Sequence, residues 1–510
     1  MNRVSKVAPL ILAAGCSAAA TAPPAPIPQP AAPVAQITLP GAPLGIAWGM
    51  IFGPPSTQQP PRFLPVVRQL GGGFTKINLT WGQLEPQEGQ YDWELVDAYL
   101  DQLGSPDEGL LAILSSSPWA TRVPAWFLPP SPALDLARYH RFVRDLVAHV
   151  GGRLRYFQND SEANNPIFWS GTNEEYLAQL RIFAQAVREA DPQAKVVLGG
   201  SDGLFDPAGA APMPGQQASL DLLDLLLTRG RDLFDVFDLH LYADPYTIAA
   251  RVDFVRGKLS ALGLTQPIIA TEYDGPGFFE FSANRRYFGL LQSWGQSLAS
   301  GGAEQAGGAP SGVASLYQDM AGLAPETQMF LLGCSDPLEQ KLRRIQARDL
   351  VMRNLFALAG GVQKTAFWDL WHDTTSRDNV ETLLYGKLKL MESTGAAGTL
   401  DQRTPIADAF ARMAEALAGS ESIQRLTLAG QEAIQLFEVT RRGRGRLYVA
   451  WERRDVFSGE DAPATATAWA TAGQAARAHD ILGNEVGVTL RRGVLSVPLS
   501  VTPVFIEIEN

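Results

Sequence analysis

The sequence predicts a (β/α)8 barrel of the TIM type followed by a small antiparallel β-sandwich. Through residues 44–420, short apolar strand patterns alternate with helix patterns about eight times, which is typical of a parallel barrel. Residues 421–510 change to short alternating strands separated by turn residues, as in a sandwich. The chain has 510 residues, 46% of them hydrophobic, so it has material for a large core and more than one domain.

The first 43 residues are predicted to lie outside the fold. Basic residues precede an apolar run at 7–14, which is too short to span a bilayer and fits an export signal. The run ends in LAAGC, which resembles the bacterial lipobox, although its leucine is one position too far from Cys16. We therefore interpret residues 1–16 as a signal peptide with Cys16 as the lipidated residue; an ordinary secretory signal is the alternative. The Ala- and Pro-rich residues 17–43 form a tether.

The barrel strands are predicted from short apolar runs at residues 44–48, 74–81, 109–114, 153–162, 195–200, 236–242, 267–272 and 362–369. Helices are predicted between them, one capped by Ser131 with Pro132 at its first position, another by the capping box of Thr172 and Glu175. A long segment at 273–335, rich in Gly, Ala and Ser, interrupts the alternation. A loop of this length is typically functional or disordered.

Two predicted strands end in a glutamate, Glu162 in the fourth and Glu272 in the seventh. A carboxylate where a buried strand ends is costly unless it is paired, hydrogen-bonded or used. The carboxyl ends of barrel strands meet at one rim, so the two glutamates are expected to lie together. Two carboxyl groups are what glycoside hydrolysis requires, one as an acid and one at the anomeric carbon. Asp160 is a rival acid, and the alternative is that both glutamates are surface charges.

Aromatic and polar residues at other strand ends are candidates for binding a sugar. His240 and Tyr242 alternate on the sixth strand, so both should point inward, Tyr242 within reach of the second glutamate. Tyr242 is equally well explained as a packed side chain, and the pattern slightly favours a satisfied structural histidine for His240. Trp368 at the end of the eighth strand would form a floor for a pyranose, and Trp81 and Trp48 occupy similar positions.

Composition excludes several classes of function. The net charge is −11 and no basic block occurs, which argues against a nucleic acid partner. The chain has 2 cysteines, too few for a thiolate metal site, and it lacks HExxH, P-loop and dinucleotide-binding motifs. We therefore expect no metal and no cofactor. A carbohydrate is the expected partner, and a membrane is expected to be contacted only through the N-terminal lipid.

The chain resembles the clan A glycoside hydrolases, most closely the β-xylosidase-like group with a C-terminal β-sandwich. The most specific similarity is the stretch KINLTWGQLEPQEGQYDWELVD, with its E-P-x-x-G-x-Y-D-W pattern. The stretches FWSGTNEEYLAQL, KVVLGG, TEYD and FWDLWHD match as well, so the resemblance extends from about Gly45 to the C-terminus. It implies a retaining glycosidase with Glu162 as the acid/base and Glu272 as the nucleophile.

One residue departs from the family pattern. The family normally has Asn directly before the acid/base glutamate, where it holds the sugar 2-hydroxyl, and this chain has Ser161. Ser is a shorter donor and acceptor, so the departure bears on the substrate or on the activity itself. We expect Ser161 to lie beside the second carbon of the sugar. The alternative function is a catalytically silent surface lipoprotein that only binds glycans.

Overall fold

Eight parallel strands close into a barrel in the computed structural model. The structure describes residues 41–50, 63–201, 216–299, 312–371, 377–392, 400 and 402–509, without the side chains of 48–50 and 296–299. Each strand pairs with the next, and the first pairs with the last, so the predicted TIM barrel is confirmed. The strands are β1 (Leu44–Met50), β2 (Thr75–Thr80), β3 (Gly109–Leu114), β4 (Tyr156–Asn159), β5 (Lys195–Ser201), β6 (Val236–Leu239), β7 (Ile268–Tyr273) and β8 (Thr365–Phe367).

Helices connect these strands and continue beyond the last one. One of them is the helix after β4, which begins with the predicted capping box of Thr172 and Glu175 and buries one apolar face. The helices are α1 (Leu64–Gln69), α2 (Trp81–Leu84), α3 (Glu94–Leu100), α4 (Leu136–Val150), α5 (Asn173–Ala190), α6 (Gln216–Arg229), α7 (Ile248–Ala261), α8 (Phe288–Ala299), α9 (Val313–Gln318), α10 (Pro325–Gln328), α11 (Asp336–Ala359), α12 (Val380–Tyr385) and α13 (Pro405–Leu417).

The start of α4 differs from the prediction. Asp135, and not Ser131, caps the helix, accepting hydrogen bonds from the backbone of Ala137 and Arg138. Ser131 is used elsewhere, because its hydroxyl accepts from the backbone NH of Val123 and so fixes the loop before the helix. The helix therefore begins after Asp135, four residues later than predicted.

The described part of the segment at 273–335 contains several helices. Helices α8, α9 and α10 lie within it, and residues 300–311, the Gly- and Ala-rich part, lie outside the described residues. Its apolar side chains belong to a hydrophobic cluster separate from the barrel core. This cluster includes Phe278, Phe281, Val313, Leu316, Met329 and Phe330. The described part of this segment is therefore a packed addition to the barrel between β7 and α11.

The barrel interior is apolar through most of its length. Small and aromatic side chains fill it, among them Ala47, Phe74, Leu110, Ala112, Tyr156, Val197, Val236, Ile269, Ala366 and Trp368. Charged side chains also enter the interior, and Lys76 and Asp238 are fully buried there. These charges require partners, and they find them next to the carboxyl ends of the strands.

The predicted C-terminal sandwich consists of two antiparallel sheets. The first has the order β11-β12-β13-β18-β15, and the second β14-β17-β16. The remaining strands are β9 (Met391–Glu392), β10 (Gln402–Arg403), β11 (Ser420–Leu426), β12 (Ile434–Arg441), β13 (Leu447–Glu452), β14 (Thr465–Ala470), β15 (Ala475–Asp480), β16 (Thr489–Arg491), β17 (Val494–Leu499) and β18 (Val504–Glu509).

The larger of the two sheets packs against α11. The ring of Phe356 in this helix contacts Phe437 and Trp451, with ring centroids 5.4 and 5.8 Å apart. The indole NH of Trp451 donates to the hydroxyl of Tyr246, 2.9 Å away, and Arg348 forms an ion pair with Glu460 at 2.6 Å. The sheets therefore support the helix that precedes β8. None of the helices in the described ranges has the length and apolar character needed to cross a membrane.

Candidate active site

Glu162 and Glu272 meet at the carboxyl end of the barrel. Each has a carboxylate oxygen that lies, together with a ring nitrogen of His240, in a group of atoms all within 4.8 Å of one another. Glu272 belongs to β7, and Glu162 lies three residues after the end of β4. Both are largely buried, at 6% and 9% exposure. The structure therefore brings together the two carboxyl groups selected from the sequence.

The turn after β4 directs the Glu162 side chain by an unusual backbone. Asp160 and Glu162 both have left-handed conformations, with φ of 55° and 52°, which are uncommon for residues other than glycine. The turn is held on both sides, because the NH of Asp160 donates to Ile113 and the NH of Glu162 donates to Gly200. The neighbouring strands therefore determine where the Glu162 carboxylate lies.

Glu272 is held as an anion by four side chains. Lys76 and Tyr242 each donate to it over 2.8 Å, His240 lies 3.4 Å away, and the hydroxyl of Ser161 donates over 3.4 Å. Burial alone would raise the pKa of Glu272, but the charges of His240 and Lys76 outweigh it and lower the pKa below its ordinary value. Glu272 is therefore ionised when the site is empty.

His240 links the two glutamates. Its Nδ1 lies 2.7 Å from Glu162 and 3.4 Å from Glu272, and its Nε2 lies 3.5 Å from Asp238. Burial opposes a charged imidazole, but the charges of Glu272 and Asp238 together raise the pKa of His240 to about 10. The ring lies against Gly200, where any Cβ atom would overlap it. His240 is therefore a cation beside the carboxyl groups of Glu162 and Glu272.

Asp238 supports both cations from inside the barrel. It is fully buried, and it accepts from the side chain of Gln158 over 2.8 Å and from the backbone NH of Thr271 over 2.9 Å. Burial favours the protonated form, but the charges of His240 and Lys76 (4.0 Å away) lower the pKa of Asp238 to about 2. Asp238 thus stays ionised and balances the charges beneath the glutamates.

A metal ion does not suit this group. Glu162, His240 and Glu272 have the spacing of three ligand atoms. However, a metal-binding histidine must be neutral, and the raised pKa keeps His240 protonated. The ammonium of Lys76 already supplies positive charge to Glu272 at 2.8 Å. The donor set therefore fits hydrogen bonding to a substrate better than a cation.

The predicted aromatic residues have different outcomes. Trp368 directly follows β8 and is 7% exposed, at the same end of the barrel as the glutamates. The side chain of Trp48 lies outside the described residues, as does all of Cys16.

The expectation for Trp81 is wrong. The predicted strand ends one residue earlier, because Thr80 caps the short helix α2 in a capping box with Gln83. This helix turns the Trp81 ring outward onto Phe142, with 5.3 Å between ring centroids, and leaves it without exposed surface. Trp81 is therefore a core residue.

Asp160 has a structural role in this geometry. Its carboxylate accepts from the backbone NH and hydroxyl of Ser115, over 2.6 and 2.8 Å, and from the Asn159 amide over 2.8 Å. Burial outweighs these hydrogen bonds and raises the pKa of Asp160 to about 7. Its oxygens are directed towards β3, which leaves Glu162 as the residue that faces Glu272.

The sequence interpretation missed several residues of the site. Lys76 is not among the residues predicted for the site, yet it donates directly to Glu272. Asp238 was not singled out, although it lies two residues before His240 and so shares its face of the strand. Asp274, two residues after Glu272, was missed in the same way. The period of two along β6 and β7 was the signal available for both aspartates.

The comparisons with known proteins agree with this architecture. The model of the β-galactosidase family Glyco_hydro_42 matches residues 66–143. None of the curated proteins matches the chain significantly.

Solved structures share the fold across most of the chain. A family 39 glycoside hydrolase from the gut symbiont Bacteroides cellulosilyticus WH2 is 16% identical, with a TM-score of 0.58, over 91% of this chain and 80% of that one. A family 39 β-xylosidase from Caulobacter crescentus is also 16% identical, with a TM-score of 0.51, over 92% and 96%. A glucosidase from Croceicoccus marinus is 15% identical, with a TM-score of 0.50, over 92% and 98%. The match at residues 66–143 and the shared fold agree with the resemblance to the clan A glycoside hydrolases.

The charge of His240 should appear in the pH dependence of stability. Because its pKa rises on folding, its contribution is complete below about pH 6.5 and is lost as the pH rises towards about 10. His240→Gln should therefore be less stable than the parent at pH 6, and the difference in free energy of unfolding should shrink by up to about 4 kcal/mol by pH 10.

Urea unfolding at both pH values measures this difference. His149→Gln is the control, since His149 also pairs with a carboxylate, Asp97, but is partly exposed. A difference between parent and His240→Gln that stays constant from pH 6 to pH 10 contradicts the assignment of a buried imidazolium.

Proposed function

We propose that the chain is a retaining glycoside hydrolase that cleaves O-glycosidic bonds by double displacement, with Glu272 as nucleophile and Glu162 as acid/base. The observation that carries this proposal is the spacing of the two carboxyl groups, with oxygens within 4.8 Å. Retaining enzymes have carboxyl groups about 5–5.5 Å apart, whereas inverting enzymes need about 6.5–9.5 Å to admit a water molecule. The close spacing supports retention.

The surroundings of Glu272 suit a nucleophile. A carboxylate attacks the anomeric carbon only when it is ionised, and the lowered pKa supports this state. Lys76 donates to Oε1 and Tyr242 to Oε2, so the orientation of the carboxylate is defined before the substrate arrives. The attack forms a glycosyl-enzyme ester.

Glu162 supplies and later recovers a proton. In the first step its carboxyl group protonates the departing oxygen, and in the second it accepts a proton from the water that hydrolyses the ester. His240 Nδ1 is 2.7 Å from Glu162, so it stabilises the carboxylate that remains once the proton has left. The same imidazole lies 3.4 Å from Glu272, so it fixes the positions of the Glu162 and Glu272 side chains relative to each other.

The substrate is proposed to be a pyranoside, since Trp368 would provide a floor for the ring. The solved structures with this fold include enzymes described as a β-xylosidase and a glucosidase. Ser161 stands where the family that the chain resembles normally has Asn. Its hydroxyl is engaged between Lys76 Nζ, at 3.2 Å, and Glu272 Oε1, at 3.4 Å, so it supports the nucleophile as well as lying where Asn would meet the sugar 2-hydroxyl.

The N-terminal segment is proposed to export the enzyme and anchor it. The support is the sequence alone, namely the short apolar run before Cys16 and the Ala- and Pro-rich tether after it. A lipid on Cys16 would hold the barrel at a membrane surface without a spanning helix.

Removal of the nucleophile tests the mechanism. Glu272→Ala should reduce kcat on an aryl glycoside by at least about 10⁴-fold, because no glycosyl-enzyme can form. Added azide should restore turnover on an activated substrate and give a glycosyl azide of inverted configuration. Glu88→Ala removes an exposed carboxylate and is the control.

The configuration of the first product separates the alternatives. Nuclear magnetic resonance of the parent reaction should show retention. A Glu272→Ala variant with parental activity would refute the assignment. A parent that binds glycosides but hydrolyses none of a broad panel would favour the silent glycan-binding protein.

The hydrogen bond from Tyr242 should influence both rate and pH dependence. Tyr242→Phe removes one donor from Glu272, so the pKa of Glu272 should rise and the acidic limb of kcat/KM should move to higher pH. Loss of a hydrogen bond to a charged group should lower kcat/KM by about 10- to 100-fold.

Tyr91→Phe is a matched control for this change, because its hydroxyl also donates to a carboxylate, Asp145, over 2.9 Å, away from the glutamates. Initial rates from pH 3 to pH 9 measure the effect. An unchanged acidic limb in Tyr242→Phe contradicts the role given to this tyrosine.

The anchor is tested by fractionation of cells that express the full chain. The parent should be recovered with the membranes and release a lipidated N-terminal peptide on digestion, whereas Cys16→Ser should be found in the soluble fraction. Equal partitioning of the two proteins excludes a lipid on Cys16.

A further inference from the structure

Asp274 lies directly after β7, two residues beyond Glu272. Side chains two residues apart leave a strand on the same side, so Asp274 follows Glu272 along the same face. Asp274 also influences two nearby phenols. Burial raises the pKa of Tyr242, and the charges of Glu272 and Asp274 raise it further. Burial likewise raises the pKa of Tyr385, and the charges of Asp274, Glu162 and Glu272 add to this effect. Asp274 therefore belongs to the wall of the site.

This carboxyl group is buried without a partner. Asp274 is 6% exposed, and within the described part of the chain it makes no hydrogen bond and no ion pair. Its oxygens are not fully enclosed, so water reaches them in the free protein. A carboxyl group beside Glu272 that no side chain engages is available to a ligand.

The nearest cation does not satisfy Asp274. Arg353 is committed elsewhere, because it donates to both Asp349 and Glu280 and to the backbone carbonyls of Leu241 and Ala243. Gly275 follows Asp274 with φ of 147°, and a Cβ atom there would overlap the Arg353 guanidinium. The backbone is therefore packed close to Arg353, while the Asp274 carboxyl group is left for the site.

The charges around Asp274 favour its protonated form. Burial raises its pKa well above the ordinary value, Arg353 lowers it in part, and the charges of Glu280, Asp349 and Asp369 raise it again. A protonated carboxyl group has one donor and one acceptor. This is the hydrogen-bonding pattern that matches a sugar hydroxyl.

We propose that Asp274 binds a ring hydroxyl of the sugar that occupies the site beside Glu272, and that the site selects neutral sugars over uronic acids. This inference rests on the proposed function. The hydroxyl accepts from the protonated oxygen of the Asp274 carboxyl group and donates to the other oxygen, so the carboxyl group gains a partner that it lacks in the free protein. A uronic acid would bring a second carboxylate close to the ionised Glu272, where it is repelled.

The experiment compares the parent, Asp274→Ala and Asp274→Asn on the neutral 4-nitrophenyl glycoside that the parent hydrolyses best. The same assays use a set of analogues that each lack one ring hydroxyl. Asp274→Ala should lower kcat/KM by about 10- to 100-fold on the full sugar, and most of this loss should vanish for one deoxy analogue. Asp274→Asn keeps a donor and an acceptor and should fall between the other two. The matching glucuronide should be a poor substrate for the parent.

Thermal unfolding separates binding from a structural role. An unpartnered carboxyl group whose pKa is raised on folding destabilises the protein as the pH rises above its unfolded pKa, so Asp274→Asn should melt at or above the parental temperature at pH 7. Equal losses on every deoxy analogue, no loss at all, or a lowered melting temperature overturns the proposal.

Binding of the corresponding S-linked glycosides, followed by calorimetry, keeps the two hypotheses apart. If the parent binds these compounds without hydrolysing O-glycosides, the hydrolase proposal fails, while Asp274 is still tested by its binding loss and its dependence on one hydroxyl. If binding by Asp274→Ala equals that of the parent for every analogue, the role of Asp274 is refuted.

Discussion

The ion pair between Lys76 and Glu272 is the interaction on which the rest of the site depends. Its atoms are 2.8 Å apart, and the Lys76 side chain has no exposed surface. A charged lysine buried at this depth is unfavourable unless it has an anionic partner. Lys76 has Asp238 below it and Glu272 above it, and the charges of His240 and Lys76 together lower the pKa of Glu272. His240 similarly lies between the Asp238 carboxylate and the Glu162 carboxyl group.

This charge arrangement requires a closed barrel. Lys76 comes from β2, Asp238 from β6 and Glu272 from β7, with Glu162 and His240 just after β4 and β6. Only the parallel closure brings these strands to one rim with their ends aligned. The C-terminal sheets contribute from a distance, because they pack on α11, and α11 carries Arg353, which holds the backbone after β6. Barrel, sheets and site are therefore connected by packing.

Much of the architecture could be predicted from the sequence, since it follows from local patterns. The apolar runs located all eight barrel strands, and the capping box of Thr172 and Glu175 located α5. The position of Trp81 could not be predicted in the same way. The apolar strand pattern continues through Thr80 and Trp81, but Thr80 and Gln83 form a capping box that starts a helix at Trp81. Ser131 and Asp135 present the same difficulty. The partners of Lys76 and Asp238 lie far from them in the sequence. The role of each buried charge can therefore be assigned only from the folded structure.

The glycine at position 200 places a limit on how this protein can change. Gly200 touches no expected substrate, yet the His240 ring occupies the space that any side chain would need, and its carbonyl accepts from the NH of Glu162. The backbone of Gly200 thus fixes the positions of both His240 and Glu162. Apolar residues elsewhere in β5 can be replaced by others of similar volume, but position 200 has space only for glycine. Variation in sugar preference must therefore arise from the loops around the rim, since the geometry of the charged pair has no freedom to adapt.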